Sequence, residues 1–299
     1  MLERYCIDHK GGYDPKRFDP GDTGAFHDKK QAEAAMQENL AEIHRLQQRL
    51  YADKKEGVIF LFQAMDAAGK DGTIRAVLSC LSPHGVREAA FKSPSADELA
   101  HDFLWRIERE VPAKGEIAIF NRSHYEDVLI GRVHRLYETQ PHAARIDPDD
   151  ILEQRYEDIC NWEKYLYHNS VRMVKIFLNL SYQEQAARFL ARIEDPEKNW
   201  KFSTADINER NYWADYQAAF AEAINRTAAK HCPWYVVPAD HKWYMRWLVS
   251  EIIVHTLREM DPQWPVLPAG EKKNLDDLAP LLREQCGKKG RNKAGGAPQ

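Results

Sequence analysis

A short apolar run that breaks into a glycine-containing loop constrains the fold of this chain more than any other feature. Val58 to Phe62 fits a buried strand, and Gly72 to Leu81 fits a helix. The loop between them ends in Gly69 and Lys70. A strand, a glycine turn, a lysine and a helix in this order are typical of phosphate-binding loops, in which backbone N–H groups and a helix N-terminus face an anion.

The loop departs from the general consensus G-x-x-x-x-G-K-[ST] at two positions. Ala64 stands where the consensus has Gly, and Asp71 stands where it has Ser or Thr. A tight strand-to-helix turn with no ligand is therefore the alternative interpretation. If the loop does hold phosphate, we expect the contacts to come from Ala67, Ala68, Gly69, Lys70, Asp71 and Gly72.

A carboxylate, Asp66, lies inside this loop. Two like unit charges about 4 Å apart repel by roughly 4 kcal/mol at an effective dielectric constant near 20. A divalent cation between the carboxylate and a phosphate would reverse the sign, so we predict that Asp66 binds Mg²⁺. This role would also compensate for the missing hydroxyl after Lys70. The alternative is a turn or N-cap role for Asp66.

Five short apolar segments alternate with predicted helices of about 12 to 25 residues, a pattern that favours a parallel sheet with helices on both faces. The expected fold is therefore α/β, a three-layer arrangement around a five-stranded parallel sheet. The predicted strands are Val58–Phe62, Val86–Phe91, Glu116–Phe120, Arg172–Leu178 and Trp234–Pro238.

The chain divides into three predicted regions. Residues 1–51 form an irregular arm followed by a helix from His27 to Tyr51, and residues 52–265 form the core. Residues 266–299 are rich in Gly, Lys and Pro and are predicted to be disordered. The basic run at the end is either a solvated tail or a tether for a polyanion.

Composition narrows the class of protein. The net charge is −4, so no global basic field favours a nucleic-acid partner, and no run of about 18 apolar residues predicts a membrane span. The cysteines form no C-x-x-C motif, which argues against a disulfide framework or a zinc site. We therefore expect a cytoplasmic protein that binds neither nucleic acid nor membrane. The cysteines are Cys6, Cys80, Cys160, Cys232 and Cys286.

A second polar cluster, FNRSHYED, follows the third predicted strand, where ligands bind in an open α/β sheet. Asn121 ends that strand, and Arg122 can give bidentate contacts to phosphate oxygens. Asp127 lies early in the predicted helix that starts near His124, so it could face the same site. A surface ion pair for Arg122 and a first-turn dipole role for Asp127 are the alternatives.

A third cluster is basic and surrounds a charged loop after the fourth predicted strand. A mobile basic segment over residues 188–212 suits a helical lid that closes over phosphates. Because acidic residues interleave with the cations, a solvated charged loop is the alternative. The candidate phosphate-binding cations are Arg188, Arg192, Lys198 and Lys201.

These motifs together resemble the polyphosphate kinase 2 family, and FNRSHYED resembles the subgroup that phosphorylates nucleoside mono- and diphosphates. The similarity covers roughly residues 30–262. It implies a P-loop kinase-like fold, Mg²⁺, inorganic polyphosphate as donor, a lid, and association into dimers or tetramers. The resemblance rests on QAMDAAGKDGTI, SPHGV, FKSPSADELAHDFLWR, FNRSHYEDVL, RIEDPEKNWKFS and PWYVVPADHKWY.

The resemblance also implies roles for individual residues. Asp66 matches the family's metal-binding loop aspartate, and Lys70 matches its loop lysine. Asn121 and Arg122 match its second motif. Asp127 matches the acidic residue of the monophosphate-using subgroup and is a second candidate metal ligand. The implied lid residues are Arg192, Lys198 and Lys201.

The resulting hypothesis is a Mg²⁺-dependent enzyme that transfers a phosphoryl group directly between polyphosphate and AMP or ADP, producing ATP. Guanine nucleotides are further candidate substrates. Two alternatives stay open: an ATP-dependent nucleoside or nucleotide kinase of the same fold, and a polyphosphate-binding protein without turnover.

Overall fold

The structure is a computed structural model that describes residues 2–24 and 26–291, except the side chains of residues 201 and 287–291. Its centre is one six-stranded sheet with strand order β1-β6-β5-β2-β4-β3. The strands are β1 (Cys6–Ile7), β2 (Gly57–Ala64), β3 (Val86–Ala90), β4 (Ile117–Asn121), β5 (Val171–Asn179) and β6 (Trp234–Pro238).

The sheet is mixed rather than purely parallel. The strands β2 to β6 pair in parallel, whereas β1 pairs antiparallel with β6. The predicted five-stranded parallel sheet is therefore wrong at this edge. A strand of two residues, Cys6–Ile7, is too short to show the alternation of apolar and polar side chains from which strands are predicted.

Helices cover both faces of the sheet. In the unit that contains the sheet, the α-helices are α1 (Lys29–Asp53), α2 (Lys70–Leu78), α3 (Ala96–Leu99), α4 (Trp105–Glu108), α5 (Ile130–Val133), α6 (Ile151–His168), α7 (Tyr182–Glu194), α8 (Thr204–Glu209), α9 (Trp213–Thr227) and α10 (Lys242–Met260). A separate unit from Trp264 onward contains α11 (Ala269–Arg291). Short 3₁₀ helices include His124–Asp127, Asn199–Lys201 and Arg210–Tyr212.

The central strand β2 divides the core into two layers. Successive side chains of a strand point to opposite faces. Phe60 accordingly packs in the layer formed with α1, α2 and α10, whereas Leu61 packs in the layer formed with α6 and α9. Both side chains are fully buried. The predicted α/β class with helices on both faces is confirmed.

Two predicted helices are broken into shorter pieces. The capping box of Ser95 and Glu98, which predicts a helix through Val111, is present, but α3 ends at Leu99. The side chain of Asp102 then accepts the backbone N–H of Leu104 in a turn. The helix predicted from about His124 to Tyr137 is instead a 3₁₀ helix, the four-residue α5 and a further 3₁₀ turn. Asp and Ser side chains that bond to nearby backbone compete with helix continuation.

The C-terminal region differs from the prediction of disorder over residues 266–299. The structure has the helix α11 there, and Leu275, Leu278 and Leu282 recur along it at helical spacing. The prediction rested on the Gly, Lys and Pro content of this region and did not take the helical spacing of these leucines into account. Residues 292–299, which carry part of the basic run, lie outside the described residues. Within residues 2–24 and 26–291, no helix is both long and apolar enough to cross a bilayer.

Candidate active site

The loop of residues 65–69 joins the carboxyl end of β2 to the N-terminus of α2. Gly69 is the N-cap of α2 and has φ of +95°, a conformation that a residue with a Cβ adopts only with strain. Ala67 also has positive φ, at +62°. The strand–loop–helix arrangement predicted for residues 58–81 is therefore present, and the loop turns so that the N-terminus of α2 opens toward the carboxyl edge of the sheet.

Arg188 of α7 fixes the shape of this loop. Its Nη1 atom donates to the backbone oxygens of Ala67 at 3.2 Å and Ala68 at 2.6 Å. Its Nη2 atom donates to the backbone oxygens of Ala239 at 2.6 Å and Asp240 at 3.1 Å. We predicted Arg188 as a phosphate-binding cation of a lid. In the structure its guanidinium bonds these four carbonyl oxygens, and its predicted contact with phosphate stays a prediction.

Arg122 faces the same loop from the carboxyl end of β4. Its Nη2 atom lies 3.2 Å from Oδ1 of Asp66. The backbone of Arg122 has φ of +67°, and its N–H donates to the carbonyl of Phe62 at 3.0 Å. Asn121 donates from Nδ2 to Oδ1 of Asp71 at 3.1 Å. The first two predicted clusters therefore meet at one edge of the sheet.

Lys70 begins α2 beside these charges. Burial, and then the positive charge of Arg122, lower the pKa of its ammonium group. No hydrogen bond or ion pair joins Lys70 to another side chain in the described part of the chain. Its cation lines the same cleft as Arg122 and can reach an anion there.

The acidic residue that faces the site is Glu126, not Asp127. Glu126 lies 3.5 Å from Nη1 of Arg122, and burial raises its pKa despite the charges of Arg122 and Lys70. Asp127 lies 3.5 Å from Nη1 of Arg155 and lines neither of the cavities that Asp66 lines. Asp127, which we predicted as a catalytic and metal-binding residue, therefore lies outside both cavities in this structure, and its predicted role stays a prediction. The expected α-helix is a 3₁₀ helix here, and its period of three residues turns each side chain to a different side.

Two cavities meet at Asp66. The larger is an open cleft of about 790 Å³ that contains the residues predicted to bind phosphate from Ala67 to Gly72, together with Asn121, Arg192 and Lys198. The smaller encloses about 60 Å³. Met65, Asp66 and Arg122 line both. The small cavity is otherwise lined by Ala64, Glu126, Leu129, Ile130, Gln185, Asp206, Glu209, Arg210, Tyr216 and Phe220.

Residues 188–212 cover this region with the end of α7, α8 and two 3₁₀ turns. Arg192 lies 3.5 Å from Asp206, and burial, followed by the charge of Asp66, raises the pKa of Asp206. Lys198 forms an ion pair with Asp195. The side chain of Lys201, also predicted to bind phosphate, lies outside the described residues.

Several residues that line the cavities escaped the sequence-based prediction. Lys242 and Arg246, four residues apart on α10, line the large cleft. The Nε atom of Arg246 is buried and has no hydrogen-bond partner among the described residues. Gln185 donates from Nε2 to the backbone oxygen of Asp66 at 2.9 Å. The i, i+4 spacing of Lys242 and Arg246 was the one signal that could have found them.

The donor groups are compatible with Mg²⁺ but do not form a closed metal cage. Among the described residues, no group of three or more His, Cys, Asp or Glu side chains is arranged to hold a metal ion. Mg²⁺ is usually bound by one or two carboxylates with substrate phosphates and water. A single half-exposed carboxylate, Asp66, beside a basic cleft fits that mode of binding.

Comparisons with known proteins show which sequences this chain is similar to. The family model for polyphosphate kinase 2 matches residues 26–265. An AMP/ADP-polyphosphate phosphotransferase from Meiothermus ruber is 44% identical over 268 residues, which cover 88% of this chain and 96% of the relative. An ADP-polyphosphate phosphotransferase from Rhodopseudomonas palustris is 44% identical over 273 residues, covering 90% and 93%.

A solved structure is also similar. Polyphosphate kinase 2 from Arthrobacter aurescens superposes with a TM-score of 0.81 at 37% identity, and the match covers 91% of this chain and 95% of that one. The sequence similarity and the structural similarity both extend over most of the chain. The chain belongs to the polyphosphate kinase 2 family.

Proposed function

We propose that this chain transfers a phosphoryl group between inorganic polyphosphate and AMP or ADP. The observation that carries the proposal is the common wall of the two cavities, because Asp66 and Arg122 face both of them. A group that passes from a donor in one cavity to an acceptor in the other would pass these two side chains. The names of the relatives from Meiothermus ruber and Rhodopseudomonas palustris support the same substrates.

The large cleft suits the polyphosphate chain. Cationic side chains outnumber acidic ones along it, so a long polyanion would meet a favourable field. The unpartnered Nε atom of Arg246 supports this assignment, since a buried donor without an acceptor is costly until an anion supplies one. The basic lining consists of Lys70, Lys92, Arg122, Arg188, Arg192, Lys198, Lys242 and Arg246.

The small cavity suits the nucleotide. Tyr216 and Phe220 offer it an aromatic surface, and Glu126 and Arg122, which lie 3.5 Å apart, also line it. Ligand pockets usually measure about 300–1,000 Å³, far more than the roughly 60 Å³ enclosed here. Residues 188–212 would therefore act as a lid that moves outward to admit the nucleotide and then closes to exclude water.

The residues of the site would act mainly by positioning and by charge neutralisation, which phosphoryl transfer requires more than acid–base chemistry. Lys70 and Arg122 would neutralise the phosphate oxygens, while the loop held by Arg188 presents the N-terminus of α2. Asp66 would hold Mg²⁺, which when bound supplies further positive charge to the phosphates. Asn121 would orient Asp71 at the edge of the cleft. Transfer is direct and in line, without a phosphorylated protein residue.

Guanine nucleotides and an assembly into dimers or tetramers belong to the same proposal. The cavity lining includes Gln185, Asp206 and Glu209, whose polar groups could bond to either purine. Assays with GMP and GDP and a mass measurement in solution test these two points.

The decisive experiment incubates the protein with polyphosphate, AMP and Mg²⁺ and measures ADP and ATP. Both products should form, and omission of polyphosphate or addition of excess EDTA should abolish them. Product from ATP and an acceptor nucleoside without polyphosphate would favour the ATP-dependent kinase. Salt-sensitive polyphosphate binding with no product from any nucleotide would favour a binding protein and contradict the proposal.

A further inference from the structure

A buried ion pair lies behind the loop that carries Arg122 and Glu126. Glu163 of α6 and Lys175 of β5 are 2% and 0% exposed, and Lys175 Nζ lies 2.6 Å from Glu163 Oε2. Neither residue lines the cleft or the small cavity. The pair therefore has no direct route to a substrate, and its function has to be sought in the contacts that it makes.

Both charges bond to one side chain of the loop. The hydroxyl of Tyr125 donates to Oε1 of Glu163 at 2.7 Å, and the Nζ of Lys175 lies 3.2 Å from the same hydroxyl oxygen. Lys175 also donates to the backbone oxygen of Thr227 at 2.9 Å. The Tyr125 ring packs edge-on against Trp234, with ring centroids 4.8 Å apart. Tyr125 is fully buried, and these contacts hold its side chain in one position in the core.

Tyr125 stands between the two charged residues that face the 65–69 loop. Arg122 precedes it by three residues and Glu126 follows it directly. The positive φ of Arg122 is unfavourable for a residue with a side chain and persists only where the surroundings hold it. The backbone N–H of Tyr125 donates to Ser123 Oγ, which also accepts Gln63 Nε2 at 3.1 Å. The anchor at Tyr125 is thus part of a short turn that Ser123 and Gln63 also bond, although both ring nitrogens of the buried His124 have no hydrogen-bond partner among the described residues.

An ion pair this deep is a poor way to gain stability. The loss of hydration of two charges is large, and well-packed apolar side chains in their place are often as stable or more stable. The hydrogen bonds of a buried polar network do, however, fix one geometry of the groups that they join. Orientation of the Tyr125 hydroxyl accounts for the presence of Glu163 and Lys175 better than stability does.

We propose that Glu163 and Lys175 are positioning residues that act through Tyr125 to hold Arg122 and Glu126 in place for phosphoryl transfer. The inference rests on the proposed function, because its readout is polyphosphate-dependent turnover. A displacement of about 1 Å in a catalytic group can cost on the order of 100-fold in rate. The expected signature is a lower kcat with little change in KM, since the other residues that line the large cleft and the small cavity keep their places.

The first test replaces Tyr125 with Phe, which keeps the buried ring and removes only the hydroxyl. We expect Tyr125→Phe to lower kcat by about 10- to 100-fold. The KM values for AMP and polyphosphate should change by less than about threefold, the signature of an interaction made in the transition state. The matched control is Tyr156→Phe, a buried tyrosine of the same core layer on α6, which should keep kcat within about twofold.

The second test removes both charges together, as Glu163→Leu with Lys175→Met, so that no lone charge stays buried. This double variant should melt near the wild-type temperature and still lose kcat by about 10-fold or more. Wild-type kcat in folded Tyr125→Phe, or in the folded double variant, would overturn the inference. Failure of the proposed function is separate, because the wild-type protein itself would then give no product.

Discussion

Nη1 of Arg188 lies 2.6 Å from the backbone oxygen of Ala68, so the helix α7 is fastened directly to the loop below the N-terminus of α2. The same guanidinium reaches Ala239 O through Nη2 at 2.6 Å. One side chain therefore joins the carboxyl ends of β2 and β6. The conformation of the loop therefore depends on the guanidinium of Arg188 as well as on the positive φ of Gly69.

Replacement of Arg188 by Lys should disable the site although the charge is retained. A planar guanidinium can bond four carbonyl oxygens at once, whereas an ammonium group on a flexible stem cannot reproduce the fork. We expect Arg188→Lys to lower kcat by about 10-fold or more, measured as ADP and ATP formed from polyphosphate and AMP. Arg135→Lys, an exposed residue paired with Glu138, is the control. Equal activity of the two variants would contradict the assigned role.

Asp66→Asn and Lys70→Ala should each lower turnover by at least about 100-fold, the scale of removing one preorganised charge. Circular dichroism and the melting temperature check that each variant folds. Lys55→Ala removes an exposed cation that pairs with Asp53 and should leave turnover unchanged. If Asp66→Asn kept both its rate and its dependence on Mg²⁺, the carboxylate could not be the metal ligand.

Glu126→Gln and Asp127→Asn should behave differently although the residues are neighbours. Glu126 lies 3.5 Å from Arg122 and lines the small cavity, so its neutralisation should change kcat/KM for AMP by about 10-fold or more. Asp127 pairs with Arg155 outside the cavity, so Asp127→Asn should alter the melting temperature and leave kcat/KM within about threefold. A larger loss of kcat/KM in Asp127→Asn than in Glu126→Gln would mean that Asp127, not Glu126, acts in the site.

Acid should remove the stability that Glu163 contributes. Burial by itself raises the pKa of this carboxyl, but Lys175 and His124 outweigh it and lower the pKa to about 2 from the ordinary value of 4.5. A lowered pKa gives stability that is present above pH 4.5 and is lost as the pH falls toward 2. Denaturation of wild type and Glu163→Gln across this range should show the wild-type advantage shrinking. A constant difference would mean that Glu163 does not titrate there.

The sequence predicted the parts of the site that depend on order along the chain. Apolar runs located the strands because buried strands of a parallel sheet have a distinctive composition. Gly69 and Lys70 located the loop because its backbone conformation requires a glycine. The ends of β2 and β4 then had to lie side by side, which brought Arg122 to Asp66.

The rest depended on contacts between distant segments. In the sequence, Arg188 cannot be told apart from the other cations of the predicted lid. In the structure it bonds to backbone carbonyl oxygens some 120 residues away. Glu126 rather than Asp127 lines the small cavity, and residues His124–Asp127 form a 3₁₀ helix where an α-helix was expected. Lys175 sits in an apolar strand, and only the fold shows that Glu163 and Tyr125 meet it.

The wall that the two cavities share also restricts the order of events in the proposed reaction. Met65, Asp66 and Arg122 bound both spaces, and the proposed reaction uses the carboxylate of Asp66 to hold Mg²⁺ rather than to carry a phosphoryl group. Donor and acceptor would have to occupy the protein at the same moment. Initial-rate plots against one substrate at fixed levels of the other should consequently intersect, and either substrate alone should leave the protein chemically unaltered.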